Sequence, residues 1–143
     1  MNFYPPFVGA GVRVGGVRGK PGAIEARLKL RWWNRNAIGT HFGGSMYSMC
    51  DAFLVLLLLD KLGPEYIVWD KAAAIRFVRP GKGTIKAIFH ITEERVAEIK
   101  AEADGADKSE PRFELTITNE EGQTVAEVTK VLYVKRKGQR GPA

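Results

Sequence analysis

The chain has 143 residues, of which 45% are hydrophobic, 27% charged and 10% aromatic, a composition typical of one globular domain rather than of a disordered segment. Its one cysteine, Cys50, excludes an internal disulfide. Its two histidines, His41 and His90, lack the spacing of zinc ligands, so no metal or redox cofactor is expected. The formal net charge of +6 favours anionic partners such as phosphate-bearing ligands.

The N-terminal segment is rich in glycine and proline. Valines between these glycines predict a short irregular strand that ends at Val17 in a flexible turn. The first six residues lack the basic region and apolar run of a secretory signal. The most apolar stretch, 52–59, is far shorter than the roughly 20 residues that cross a bilayer. A cytoplasmic protein without a membrane segment is therefore expected.

The next two patterns predict a strand and a long helix. Residues 23–33 alternate between apolar and charged side chains, which predicts a half-buried strand. Residues 45–62 contain no glycine or proline and are apolar on nearly every face, which predicts a helix about 27 Å long, buried almost all round. Gly63 and Pro64 should end it.

Strand patterns dominate the second half of the chain. They cover residues 66–78, 84–91, 112–118 and 124–135, and a helix from Thr92 as N-cap to Gly105 interrupts them. A helix that is apolar all round must be enclosed. The expected fold is therefore α+β, with a long central apolar helix wrapped by a curved, mostly antiparallel sheet of five to six strands. Residues 1–143 should form a single domain with a frayed tail at 137–143.

The chemistry is predicted to lie in residues 36–51. Gly43 and Gly44 precede the long helix, so its first N–H groups and the positive end of its dipole are free to bind an oxyanion or a carbonyl oxygen. Asp51 follows two turns later in apolar surroundings, where a carboxylate needs a partner or a function. A polarised carbonyl and a nearby carboxylate are the minimum for adding water to an ester or thioester.

The spacing of these residues resembles a known family. Hotdog-fold thioesterases of the phenylacetate-pathway type carry N-x-x-G-x-x-H-G-G, followed seven residues later by Asp or Glu. The matching residues here are Asn36, Gly39, Gly43, Gly44 and Asp51. The chain is similar to a subgroup of uncharacterised bacterial hotdog domains, some of them fused to acetyltransferase domains. The resemblance implies a hotdog fold that forms homodimers, sometimes paired into tetramers.

The resemblance also implies roles in acyl-CoA hydrolysis. The amides of Gly43 or Gly44 would bind the thioester oxygen, and Asp51, supplied across a dimer interface, would act as general base or nucleophile. Asn36 would orient that carboxylate or the water. Expected substrate-binding residues are Phe42, Tyr47, Asp70, Arg79 and Lys82, the last two through the phosphates of coenzyme A.

One departure from the family pattern leaves alternatives open. Phe42 occupies the family's histidine position, and His41 lies one place earlier. Either His41 supplies the imidazole or the backbone amides act alone; His41 could equally be a loop residue without a role. Asp51 could instead form a structural ion pair. The main alternative function is a non-catalytic module that binds acyl chains or acyl-CoA. Nucleic-acid binding is disfavoured because basic and acidic residues are interspersed.

Overall fold

The computed structural model describes residues 1–138 and contains four helices and six strands in that range. The helices are α1 (Pro5–Ala10), α2 (Gly43–Asp51), α3 (Phe53–Leu62) and α4 (Glu93–Gly105). The strands are β1 (Val12–Val17), β2 (Lys20–Lys29), β3 (Tyr66–Phe77), β4 (Thr84–Phe89), β5 (Arg112–Thr118) and β6 (Thr124–Arg136). Most of the predicted frayed tail, residues 139–143, lies outside the described residues.

The strands form one antiparallel sheet in the order β1-β2-β4-β5-β6-β3. β1 and β3 are therefore its two edge strands. Helices α2 and α3 pack on its inner face. The ring centroid of Phe53 lies 5.1 Å from that of Phe89 in β4 and 5.5 Å from that of Phe7 in α1. The predicted curved antiparallel sheet with a long helix packed on it is confirmed. No helix within residues 1–138 is long and apolar enough to cross a membrane.

The predicted long helix is present, but it bends at Ala52 into α2 and α3. The ammonium group of Lys130 contacts the carbonyl oxygens of Cys50 and Asp51 at this point. Those carbonyls would otherwise accept bonds from the next helical turn, and an inserted side chain is a recognised cause of helix bending. The bend therefore coincides with a contact from β6.

Burial of the helix on every side was a wrong prediction. Leu58 is fully buried against the sheet, whereas Leu56 is 40% exposed and Leu59 37% exposed. The sheet covers only one side of α3, and α4 packs against another part of it. The apolar surface of α3 is therefore larger than the area that the rest of the same chain covers.

Two predictions near the N-terminus are also corrected. Residues 5–10 form α1 rather than strand, since prolines suit the first turn of a helix. β2 ends at Lys29 rather than at Trp33, because the buried side chain of Asn34 forms hydrogen bonds with the backbone groups at and just after the end of the strand. Its Oδ1 accepts from Arg31 N at 2.7 Å, and its Nδ2 donates to the Lys29 carbonyl at 3.0 Å. The N-cap of α4 is confirmed: Thr92 Oγ1 accepts from Arg95 N.

Candidate active site

The loop before α2 is shaped by Asn36. Its Oδ1 accepts from the backbone N–H groups of Ile38 at 3.1 Å and Thr40 at 3.0 Å. Its Nδ2 donates to Thr40 Oγ1 at 2.8 Å and to the His41 carbonyl at 3.3 Å. Gly39 adopts φ +82°, which side-chain-bearing residues rarely adopt. Asn36 thus holds a tight turn, and its hydrogen bonds lie within the loop rather than at Asp51.

His41 fastens this loop to the turn after β3. Its backbone N–H donates to the Gly81 carbonyl at 2.9 Å, and its Nε2 lies 2.8 Å from the Gly83 carbonyl oxygen. A carbonyl can only accept, so Nε2 carries the proton. Burial lowers the pKa of His41, outweighing the opposing effect of the hydrogen bond to Gly83. The geometry is that of a buried, neutral, loop-anchoring histidine.

The N-terminus of α2 has free amide groups. Phe42 occupies the N-cap position and its side chain makes no capping hydrogen bond. The first N–H groups of a helix have no intrahelical partner, and the bonds to the Phe42 carbonyl begin only at Ser45. The N–H groups of Gly43 and Gly44 therefore remain available, in contrast to the capped start of α4.

Both glycines lie against aromatic rings. A Cβ atom on Gly43 would lie 2.9 Å from Cζ of Phe77, and one on Gly44 would lie 2.6 Å from Cε1 of Phe42. A side chain at either position would force a ring to move. The close approach explains why glycine suits both positions.

A cavity of about 420 Å³ opens beside Gly43 at the start of α2. Its lining includes Asn36, His41, Gly43, Met46, Phe77 and Arg79. Apolar walls with a few polar groups are the usual character of a small-molecule site. The loop, the helix start and the end of β3 therefore meet around one cavity.

Asp51 lies at the other end of α2, in a cluster centred on Lys130. The Lys130 side chain is fully buried, and its Nζ lies 2.9 Å from Asp70 Oδ1 and 3.5 Å from Asp51 Oδ1. The Asp51 side chain is 55% exposed and that of Asp70 is 30% exposed. Two carboxylates facing one ammonium leave the cluster with a net negative charge at the surface.

Tyr47 and Cys50 border this cluster. The ring of Tyr47 lies 5.7 Å from Lys130 Nζ. Burial, and then the carboxylates of Asp51 and Asp70, raise the pKa of Tyr47 to about 12. Burial likewise raises the pKa of the Cys50 thiol to about 12, so the thiol stays protonated and inert at neutral pH.

Lys130 was missed in the sequence, although a signal was present. Residues 126, 128, 132 and 134 of β6 are apolar and buried, and Lys130 occupies the middle of that alternating series. A lysine at an inward-facing position of a strand requires a buried anionic or carbonyl partner. That break in the alternation indicates the cluster.

The predicted phosphate-binding residues lie apart from the cluster. Arg79 and Lys82 line a groove of about 490 Å³ beside the β5–β6 turn, and Arg79 also borders the cavity at Gly43. Arg79 Nε donates to the Thr124 carbonyl at 2.8 Å. Two other basic residues, Lys135 and Arg136 near the end of β6, form ion pairs with Asp107 and Glu65.

The two halves of the predicted site are separated along α2. Gly43 and Asp51 are eight residues apart, which corresponds to about 12 Å of helix. One thioester carbonyl cannot contact both the Gly43 amide and the Asp51 carboxylate of the same chain. Within residues 1–138, no cluster of three metal-ligating side chains occurs.

The sheet, the helix and the amide site define the class of protein: this is a hotdog fold, and the predicted resemblance is confirmed. Residues 1–134 match the family described as "Domain of unknown function (DUF4442)", which is of hotdog type. The chain belongs to that family.

Solved structures of hotdog thioesterases share the fold. A Pseudomonas aeruginosa protein, described as of unknown function and a "Probable Thioesterase", is 26% identical with a TM-score of 0.76; the match covers 89% of this chain and 84% of that protein. A thioesterase from Haemophilus influenzae is 14% identical with a TM-score of 0.67, covering 94% and 85%. The PaaI protein of the E. coli phenylacetic acid degradation operon is 16% identical with a TM-score of 0.62, covering 99% and 90%. No curated protein gives a significant match.

Proposed function

We propose that the chain is an acyl-CoA thioesterase that works as a homodimer in the cytoplasm. The observation that carries this proposal is the uncapped start of α2, where Gly43 borders a mostly apolar cavity. Preorganised backbone N–H groups stabilise the negative charge that develops on a thioester oxygen during attack. The thioesterases among the structural neighbours support the same assignment.

The dimer supplies the carboxylate that a single chain cannot bring to the cavity. β3 is an edge strand, and Ala72, Ala73 and Ala74 on it are exposed and small enough to admit a second strand. Two β3 edges paired about a twofold axis run antiparallel, as do the helices packed on them. The end of α2 in one subunit then approaches the start of α2 in its partner.

The proposed reaction is addition of water to the thioester carbonyl. Asp51 of the partner subunit takes a proton from water while the oxygen bonds to the carbonyl carbon. The amides of Gly43 and Gly44 hold the resulting oxyanion. The carbon–sulfur bond then breaks, and the thiolate of coenzyme A leaves and is protonated. Direct attack by the Asp51 carboxylate, followed by hydrolysis of the anhydride, is the variant of this mechanism.

Residues around the cavity would bind the rest of the substrate. Asn36 acts through the loop whose shape it fixes, and Phe77 provides an aromatic wall. The ring of Phe42 lies against Gly44 at the start of α2 and is the proposed contact there. Tyr47 and Asp70 lie beside the carboxylate. Arg79 and Lys82 are the proposed contacts for the phosphates of coenzyme A.

A non-catalytic acyl-CoA binding module is the second candidate. It is favoured by the ion pair between Lys130 and Asp51, because this contact gives the carboxylate a structural role that needs no catalysis. Phe42 also cannot donate the hydrogen bond of a histidine at that position.

One assay separates the two functions. Purified full-length protein is incubated with acyl-CoA of increasing chain length, and thiol release is followed alongside binding by calorimetry. The thioesterase proposal expects enzyme-dependent thiol release for at least one chain length. Saturable binding without any thiol release supports the binding module, and neither binding nor release contradicts both.

A further inference from the structure

A second cavity lies away from the proposed active site. Its volume is about 510 Å³, and it lies between α1 and the strands β1 and β2. None of its lining residues lines the cavity at Gly43. This N-terminal cavity is within the size range of small-molecule sites, about 300–1,000 Å³.

Four basic residues line one side of the N-terminal cavity: Arg13, Arg27, Lys29 and Arg31. Arg13 and Arg27 are register partners on neighbouring strands, so two like charges lie directly opposite each other. Such pairs are unfavourable unless an anion compensates them. Arg27 is paired with Glu25, whereas no carboxylate among residues 1–138 forms an ion pair with the other three. The cavity is thus strongly cationic.

The other side of the N-terminal cavity is apolar and poorly covered. Phe3 is 92% exposed, and Val8 and Trp33 are about half exposed. The guanidinium of Arg31 lies 5.5 Å from the Trp33 ring centroid, so the cationic and aromatic sides adjoin. An apolar ligand that covers these exposed side chains removes apolar surface from water, which favours binding.

We infer that this cavity binds a single-chain amphipathic anion, with a phosphate or carboxylate head against Arg13, Lys29 and Arg31. Its apolar chain would cover Phe3, Val8 and Trp33. An inorganic anion would leave the apolar side exposed, and a neutral amphiphile would leave the cations uncompensated. This inference does not depend on the proposed thioesterase activity.

The test is a calorimetric titration of the full chain with dodecyl phosphate below its micelle concentration. We expect saturable binding of one molecule per chain and a change in tryptophan fluorescence that is reduced in Trp33→Phe. The double variant K29Q/R31Q should bind at least about tenfold more weakly, because a single charge-assisted hydrogen bond contributes about this factor. Lys100→Gln removes one positive charge from an exposed position of α4 and should bind normally.

Four outcomes would overturn the inference: no binding of dodecyl phosphate, equal binding of the neutral dodecyl maltoside, unchanged affinity in K29Q/R31Q, or binding only to phosphatidylglycerol vesicles. The last would indicate a membrane surface rather than a free amphiphile. Circular dichroism verifies that the double variant is folded. If it is not, Arg13→Gln provides the same comparison at another exposed position.

Discussion

The fully buried ammonium nitrogen of Lys130 lies 3.5 Å from a carboxylate oxygen of Asp51, a residue 79 positions earlier in the chain. The same nitrogen lies 2.9 Å from Asp70. The carboxylate proposed as the catalytic base is therefore also part of an ion-pair cluster, and substitutions can separate these two roles.

Asp51→Asn should remove most of the thioester hydrolysis while the protein stays folded. The amide is nearly isosteric with the carboxylate but cannot accept a proton from water, and Lys130 keeps Asp70 as its partner. The expected loss of turnover is about 10²–10⁴-fold, the usual contribution of a general base. Thiol release and thermal unfolding measured side by side are the check; a variant as fast as the parent contradicts the mechanism.

The two aspartates should be redundant for stability. Asp51→Asn and Asp70→Asn should each cost no more than about 1 kcal/mol, since each leaves one carboxylate at Lys130. The double variant leaves a buried lysine without a countercharge and should cost about 3–5 kcal/mol. Denaturant unfolding of the full double-mutant cycle measures the coupling. Adding Lys130→Met to the double variant should restore stability; additive single effects would show that the cluster is not coupled.

Stability should fall on acidification because of His41. Its folded-state pKa lies below 6.5 since burial disfavours the charged ring. The unfolded state therefore binds the proton first, so the contribution of His41 is complete above pH 6.5 and decreases as pH falls toward the folded-state pKa. The slope can reach about 1.4 kcal/mol per pH unit. Urea unfolding at several pH values between 7.5 and 5 should show a flatter profile for His41→Gln; parallel profiles would exclude this explanation.

Gly43→Ala should impair hydrolysis more than folding. The new methyl group would meet Phe77, whose exposed ring can move, and alanine favours the helix. The displaced ring and the methyl group would disturb the amide site, and a loss of about 10²-fold in turnover is expected. Gly15→Ala is the control, because its Cβ atom would contact nothing within 4 Å. Full activity in Gly43→Ala would place the carbonyl elsewhere.

A charged residue on the β3 edge should break the proposed dimer. Ala74→Glu introduces a charge where two β3 strands would pair, whereas Ala101→Glu makes the same change on the exposed face of α4. Sedimentation at micromolar concentration should give a dimer for the parent and for Ala101→Glu, and a monomer for Ala74→Glu. Hydrolysis should be lost together with the dimer in Ala74→Glu. A parent that sediments as a monomer contradicts the two-subunit site.

Local patterns in the sequence were enough to predict most of the architecture. Alternation of apolar and charged residues indicated the strands, and Thr92 and Gly63 mark helix ends because capping depends on neighbouring residues only. The glycine pair indicated free amides for the same reason. The helix α1 was missed because glycines and valines in its surroundings also suit a strand.

Contacts between distant residues were decided only by the tertiary structure. The sequence could not show that Lys130 reaches the end of α2, nor that His41 binds the turn at Gly83. It also could not show that one side of α3 remains uncovered at Leu56. Periodicity records which face of an element is apolar, whereas the partner of that face depends on how elements far apart in the chain pack together, such as α2 and β6. For this reason the sequence determined the fold and the amide site, and the tertiary structure alone determined the environment of Asp51.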